Sequence, residues 1–213
     1  MGVTKPLLVI AIDGPSAAGK GTLAVRLAAH FGLPHLDTGL LYRAVGLLAE
    51  RTNRPPAEVA AGLAASDLVD PELRDDAAGQ AGSRVAAIPE VRANLLKLQK
   101  QFAYQPSGAV LDGRDIGTVI CPDAPVKFFV MASLEARAER RYQELRRRGV
   151  DTIKPRVLAE MAERDRRDSE RAAPPLRAAP DAYLLDTSDM DADAAFAAAL
   201  AFIEGKGFRS AGP

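Results

Sequence analysis

Apolar residues in this chain follow two rhythms. Short apolar runs stand at residues 7–12 (Leu7-Leu8-Val9-Ile10-Ala11-Ile12), 109–112, 126–131 and 183–186, with a briefer segment at 34–37. Unbroken runs of this length suit strands buried on both faces, as in a parallel sheet. Between them the apolar positions recur every three or four residues, the helical period. The pattern predicts helices over 20–30, from Asp37 or Thr38 to 51, and over 83–104 with Pro89 as the candidate break. Further helices are expected over 134–148, where Gly149 stops the helix, and over 157–171 and 192–204. Residues 52–82 carry Pro55, Pro56, Pro71 and many Ala, Asp and Gly, which reads as short helices and loops outside the sheet. Strands alternating with helices give an α/β fold: a five-stranded parallel sheet with helices on both faces. Residues 207–213 are expected to fray.

Composition narrows the classes. The chain has 213 residues, 47% hydrophobic and 26% charged, enough for one sizeable core. Lys+Arg and Asp+Glu are both 28, whereas proteins that coat nucleic acid are usually basic. The single cysteine, Cys121, allows neither an internal disulfide nor a cysteine-rich zinc site. The apolar run at 7–12 is far too short to span a membrane and has no signal-peptide cleavage region. The expectation is a cytoplasmic monomer with no nucleic-acid or membrane partner.

The chemistry begins at the end of the first run. Gly14-Pro15-Ser16-Ala17-Ala18-Gly19-Lys20-Gly21-Thr22 matches G-x-x-x-x-G-K. Glycines let the backbone wrap so that its N–H groups point inward at phosphate oxygens. The following helix adds its positive end, and Lys20 reaches the outer phosphates. Gly21 stands where Ser or Thr commonly follows the lysine, so no protein metal ligand is assigned. Such a loop implies nucleoside triphosphate binding but no particular reaction. The Asn-Lys-x-Asp stretch of GTPases is absent.

Three further constellations favour a kinase with a phosphorylated acceptor. In Asp37-Thr38-Gly39-Leu40-Leu41-Tyr42-Arg43 a hydroxyl, helix-start N–H groups and a guanidinium can converge on a second anion. Alone, this would read as an ordinary helix cap. Asp112-Gly113-Arg114-Asp115 lies at the carboxyl end of a predicted strand, where open parallel sheets bind ligands. Arg137, Arg140 and Arg141 share a helix face, as do Arg164, Asp168 and Arg171. Arginines on a movable cover can neutralise the charge gathered in phosphoryl transfer. Most of these arginines, taken singly, also fit a solvated helix pair balanced by Glu135, Glu139, Glu144, Glu160, Glu163 and Asp165. Only two histidines occur, His30 and His35, neither in a motif. An alcohol acceptor benefits from a base. A phosphate monoester, with a second pKa of about 6, needs none. Asp37 could still serve as a base. A kinase of a small alcohol and a non-catalytic nucleotide-binding regulator both remain open on the residues alone.

Taken in order, the motifs resemble the bacterial cytidylate kinases, nucleoside monophosphate kinases of the P-loop type. The matching stretches are 12–16 with 19–22, Leu36-Asp37-Thr38-Gly39 with Tyr42-Arg43, Ser83-Arg84-Val85-Ala86, 112–119 with 122–127, and 163–168 with Arg171. The resemblance implies transfer of the γ-phosphoryl group of ATP, with Mg²⁺, to CMP or dCMP. It implies one kinase domain over 1–213, a monophosphate-binding insert over 38–105 and a lid over 140–165. Residues 14–22 would bind ATP, with Lys20, Arg140, Arg141 and Arg164 catalytic. Thr38, Arg43 and Arg114 would hold the acceptor phosphate. Ser83, Arg92 and Asp115 would read the base, with Asp168 and Arg171 near the ribose and lid hinge. Cytosine chemistry suits an acid–arginine pair: a carboxylate accepts from N4 and an arginine donates to N3 and O2. Many family members carry a longer insert with extra strands, whereas residues 52–82 here are short and lack a strand pattern.

Overall fold

A computed structural model describes residues 7–170 and 175–210. Arg171 and the end of the terminal segment expected to fray lie outside them. The described residues form one sheet of five parallel strands: β1 (Val9–Asp13), β2 (His35–Asp37), β3 (Ala109–Gly113), β4 (Val126–Met131) and β5 (Tyr183–Asp186), ordered β2-β3-β1-β4-β5. The helices are α1 (Lys20–Phe31), α2 (Thr38–Thr52), α3 (Pro56–Ala61), α4 (Asp76–Val85), α5 (Pro89–Ala103), α6 (Leu134–Arg147), α7 (Lys154–Glu170) and α8 (Ala192–Gly205).

Period-two alternation divides the central strands between two cores. Ile10, Ile12, Val110, Val126 and Phe128 pack with α1 and α8, whereas Val9, Ala11, Ala109 and Leu111 pack with Ala103 and its neighbours on α5. Both faces are covered, which is why these strands read as unbroken apolar runs. The register aligns Asp13 with Gly113 and Asp37 with Asp112, so the strands' carboxyl ends share one edge.

The helix expected over 83–104 is two helices. Ile88 is extended (φ −84°, ψ 117°) and Pro89 opens α5. A proline disfavours helical backbone in the residue before it and suits a first helical turn. Ser83 therefore lies in the last turn of α4 rather than starting α5. Residues 52–82 hold α3, two 3₁₀ turns (Ala65–Leu68 and Pro71–Arg74) and the start of α4, with no strand. Helix α4 packs closely on α2: a Cβ on Gly46 would stand 2.7 Å from the Ala81 carbonyl carbon.

After β3 the chain makes a π-helical turn, Ile116–Ile120. The Asp13 carboxylate holds its start, accepting from the N–H groups of Ile116 (2.7 Å) and Gly117 (2.8 Å). Buried Cys121 follows the turn. Helices α6 and α7 meet along Ala138, Leu145, Val157 and Met161. Gly149, in the left-handed region (φ 74°), ends α6. Among the described residues no helix is long and apolar enough to cross a membrane.

Candidate functional site

The loop between β1 and α1 is shaped by backbone constraints. A Cβ on Gly14 would lie 2.0 Å from the Val130 carbonyl oxygen, so only glycine lets the loop leave the sheet at this point. Among the described residues, none of the backbone N–H groups of Ser16 to Gly21 donates to a protein acceptor. Helix α1 has no acidic residue in its first turn. The result is a cradle of free donors at a positive helix end. Lys20 is buried, and its Nζ donates to the Pro15 carbonyl at 3.4 Å. Burial, then the nearby Arg114, pushes the Lys20 pKa down to about 7, against the pull of Asp112 and Asp37.

A cleft of about 440 Å³ runs from this loop to the wall formed by α2, α4 and the start of α5. Lys20, Thr38, Arg43, Ser83, Arg92, Arg114, Asp115, Arg141, Arg164 and Asp168 all line it, so the structure gathers these sequence-selected residues around one space. At the far wall Asp115 and Arg92 form a buried ion pair, with Arg92 also 5.9 Å from the Tyr42 ring. Arg114 Nε donates to Asp168 at 2.9 Å. Arg43 donates to the Leu73 carbonyl at 3.0 Å. The Thr38 hydroxyl donates to the Asp112 carbonyl at 2.8 Å, and in the same N-terminal turn of α2 the Gly39 N–H donates to the Asp37 carboxylate at 2.9 Å. Room for that hydroxyl depends on Gly113, where a Cβ would stand 2.5 Å from Thr38 Oγ1.

The cleft is built for negative charge. Arg164 Nε is buried with no hydrogen-bond partner, and Arg164 has no ion pair among the described residues. Burial, then Arg114, lowers the Arg164 pKa to about 10, with Arg43 and Arg141 adding to the effect. Arg43 is lowered too, by burial first and then by Arg141 and Arg114. Like charges held this close are relieved by a polyanion.

A second cavity of about 550 Å³ lies on the other side of the loop, lined by Gly19, Thr22, Arg140, Thr187 and Met190 among others; Ala17 lines both spaces. Arg140 belongs here and not to the first cleft. It donates to Thr187 Oγ1 (3.0 Å) and to the carbonyls of Thr187 and Met190. The shared face expected of the three α6 arginines therefore does not make their guanidinium groups converge. Arg137 turns to Asp165, Arg140 to Thr187, and Arg141 to Asp76 and Glu144. Positions three and four apart diverge by tens of degrees about the axis, and a long side chain amplifies that.

Sequence reasoning missed several groups. His35, outside any motif, bonds Asp112 at 2.7 Å. Asp13 organises the π turn. Burial pushes its pKa up to about 7 despite the two N–H groups it accepts. Arg137 was grouped with a solvated face but is buried. The available signal was its place one turn from Leu134 and beside Ala138, on the apolar side of α6. Arg74 and Arg148 also reach the cleft.

A family model described as cytidylate kinase matches residues 10–204. A cytidylate kinase of Paramagnetospirillum magneticum is 58% identical over 207 residues, covering 93% of this chain and 98% of the relative. One of Xanthobacter autotrophicus is 60% identical over 204 residues, with coverage of 93% and 98%. Among solved structures, a gluconokinase from Sinorhizobium meliloti superposes with a TM-score of 0.50 at 16% identity, covering 93% of this chain and 92% of that one; it shares the fold. With the phosphate loop, the arginine-lined cleft and relatives matched over nearly their whole length, the chain belongs to the cytidylate kinase family.

Proposed function

We propose that the chain transfers the γ-phosphoryl group of ATP, taken as its magnesium complex, to CMP or dCMP, giving ADP and CDP or dCDP. The observation that carries this reading is the single cleft with free backbone donors at one end, a buried acid–arginine pair at the other, and four arginines (Arg43, Arg114, Arg141, Arg164) between them.

ATP phosphates occupy the loop of residues 14–22, and the nucleoside of ATP extends into the cavity beyond Ala17. The acceptor lies across the strands' carboxyl edge, its phosphate held by Thr38, Arg43 and Arg114. Asp115 accepts from the cytosine N4 amino group, and Arg92 donates to the ring acceptors, with Ser83 beside them. Asp168 and Arg171 serve the ribose and the lid hinge. Uracil presents the opposite pattern and leaves both partners mispaired, a mismatch that sites of this kind reject by about 10⁴-fold. Residues 38–105 act as the monophosphate-binding insert and 140–165 as the lid.

Transfer is direct. Magnesium bound with the nucleotide would offset charge on the outer phosphates. Lys20, Arg141 and Arg164 neutralise the transferring group, and Arg140 steadies the second cavity. The acceptor phosphate, largely dianionic at neutral pH, attacks without a protein base.

The test is ADP release from ATP with a panel of acceptors: CMP, dCMP, UMP, AMP, GMP and shikimate. The reading expects turnover with CMP or dCMP and little with the others. Equal use of UMP overturns the base-reading assignment, and ATP binding without any acceptor-dependent turnover overturns the kinase itself.

A further inference from the structure

Behind the phosphate loop, α6 reaches the loop's carbonyl groups. Arg137 is 5% exposed and lines neither cavity. Its guanidinium is spent entirely inside the protein. Nε donates to the Ala132 carbonyl (3.0 Å), Nη1 to the Ser16 carbonyl (3.3 Å), and both terminal nitrogens to Asp165 of α7 (3.1 and 2.6 Å). The next outward carbonyl, that of Ala18, is held at 2.9 Å by the Thr187 hydroxyl, which Arg140 in turn bonds. Two arginines three residues apart thus grip the back of the loop, one directly and one through a threonine.

This grip has a consequence on the other side of the backbone. In a trans peptide the C=O and N–H point in opposite directions. A Ser16 carbonyl drawn toward Arg137, away from both cavities, turns the Ala17 N–H into the loop's interior. That N–H has no protein acceptor among the described residues. Ala17 holds a positive φ of 59°, a conformation that a residue with a Cβ resists and that surrounding structure must impose. Asp165, for its part, directly follows Arg164, whose Nε is buried without a partner.

We propose that the Arg137–Asp165 pair is a positioning device. It sets the Ser16–Ala17 peptide with its N–H toward the nucleotide phosphates and fixes Arg164 of the lid in the same frame. Loop and lid arginine then meet the transferring phosphoryl group in one geometry. The proposal rests on the phosphotransfer reading above, and concerns positioning residues that touch no substrate.

A pair that merely stabilised the fold would be replaceable. Apolar side chains of similar volume often substitute for a buried ion pair at no cost in stability. The experiment therefore compares the unmodified chain with the double variant Arg137→Met/Asp165→Leu. Turnover is measured with ATP and CMP, and the Ala17 amide resonance is followed as a non-hydrolysable ATP analogue is added. The proposal expects the double variant to melt near the parent temperature while kcat falls about 10²-fold and KM for CMP stays within about threefold. The Ala17 resonance, which shifts with the analogue in the parent, stays in place. A folded double variant with kcat within about threefold of the parent, or with the parental Ala17 response, overturns it. Should the double variant not fold, Arg137→Lys and Asp165→Asn decide: each must lose about tenfold or more in kcat with KM for CMP held, and parental turnover in either overturns the proposal. Failure of the unmodified chain to phosphorylate CMP would sink the functional reading instead. The Ala17 measurement needs only the ATP analogue and still decides the positioning role.

Discussion

Lys20 sits in a space already crowded with positive groups, and its ammonium is costly until phosphates arrive. Its pKa of about 7 lies below the 10.5 of an unburied lysine, so between those values the unfolded chain binds more protons and this group's contribution to stability rises with pH. Two outcomes follow. Lys20→Met raises the melting temperature of the ligand-free protein at neutral pH by about 2–4 °C, the shift that about 1 kcal/mol produces in a chain of this size. The same substitution lowers turnover by about 10²–10³-fold or more. Phosphates also pull the pKa back up, so ATP binding at about pH 8 takes up close to one proton. Calorimetry in buffers of different ionisation heat reads that uptake, and Lys20→Met removes it. At the other end of the cleft, Asp115→Asn lowers the kcat/KM preference for CMP over UMP by about 10²-fold or more. The Asn is the better probe because its side-chain carbonyl can still accept from Arg92, whereas truncation to Ala removes that acceptor altogether. Residues at this scale were legible where a backbone motif announced them: the phosphate loop, the helix start at Thr38, the strand end at Asp112. Arg137 and His35 were not, because their roles depend on partners 28 and 77 residues away that only the fold supplies.

Elements carry the site by how closely they approach. Helix α2 holds Arg43 and α4 holds Ser83, and the two helices meet at Gly46 and Gly82, where any Cβ would press on Ala81 or on the Arg43 backbone. Gly46→Ala should cost about 1–3 kcal/mol through overpacking, less up to about 1 kcal/mol regained in helix propensity. Urea unfolding measures that balance. The same variant raises KM for CMP and leaves KM for ATP close to the parent value, because α1 and the phosphate loop lie outside the disturbed contact. Strands were readable from apolar runs because each is covered on both faces. The π turn at Ile116–Ile120 was not, because its geometry is set by the Asp13 carboxylate arriving from another strand. The division of the 83–104 helix was readable in Pro89, whose restriction on Ile88 places the boundary where it is found.

Across the whole molecule, the proposed insert and lid touch through charge. Arg141 pairs with Asp76, and Arg148 with Asp75 and the Arg74 carbonyl; just past the lid, Arg167 bonds Gln80 at 2.7 Å. Asp75 and Asp76 are half exposed, so the double variant Asp75→Ala/Asp76→Ala changes unfolding free energy by about 1 kcal/mol or less. Its effect falls on closure: KM for CMP rises, and the rise shrinks as added salt weakens the same pairs in the parent. An unchanged KM would remove the pairs from any part in holding the cleft shut. The buried thiol behind β3 offers the means to watch this. Cys121 is the chain's single cysteine, and burial pushes its pKa up to about 12, so almost no thiolate is available to an electrophilic dye. Fluorophores can therefore be attached at Glu58→Cys on the insert and Arg156→Cys on α7, both exposed, without first removing the native sulfur. The distance between the two lobes then becomes a quantity recorded in real time, in a chain otherwise left as it is.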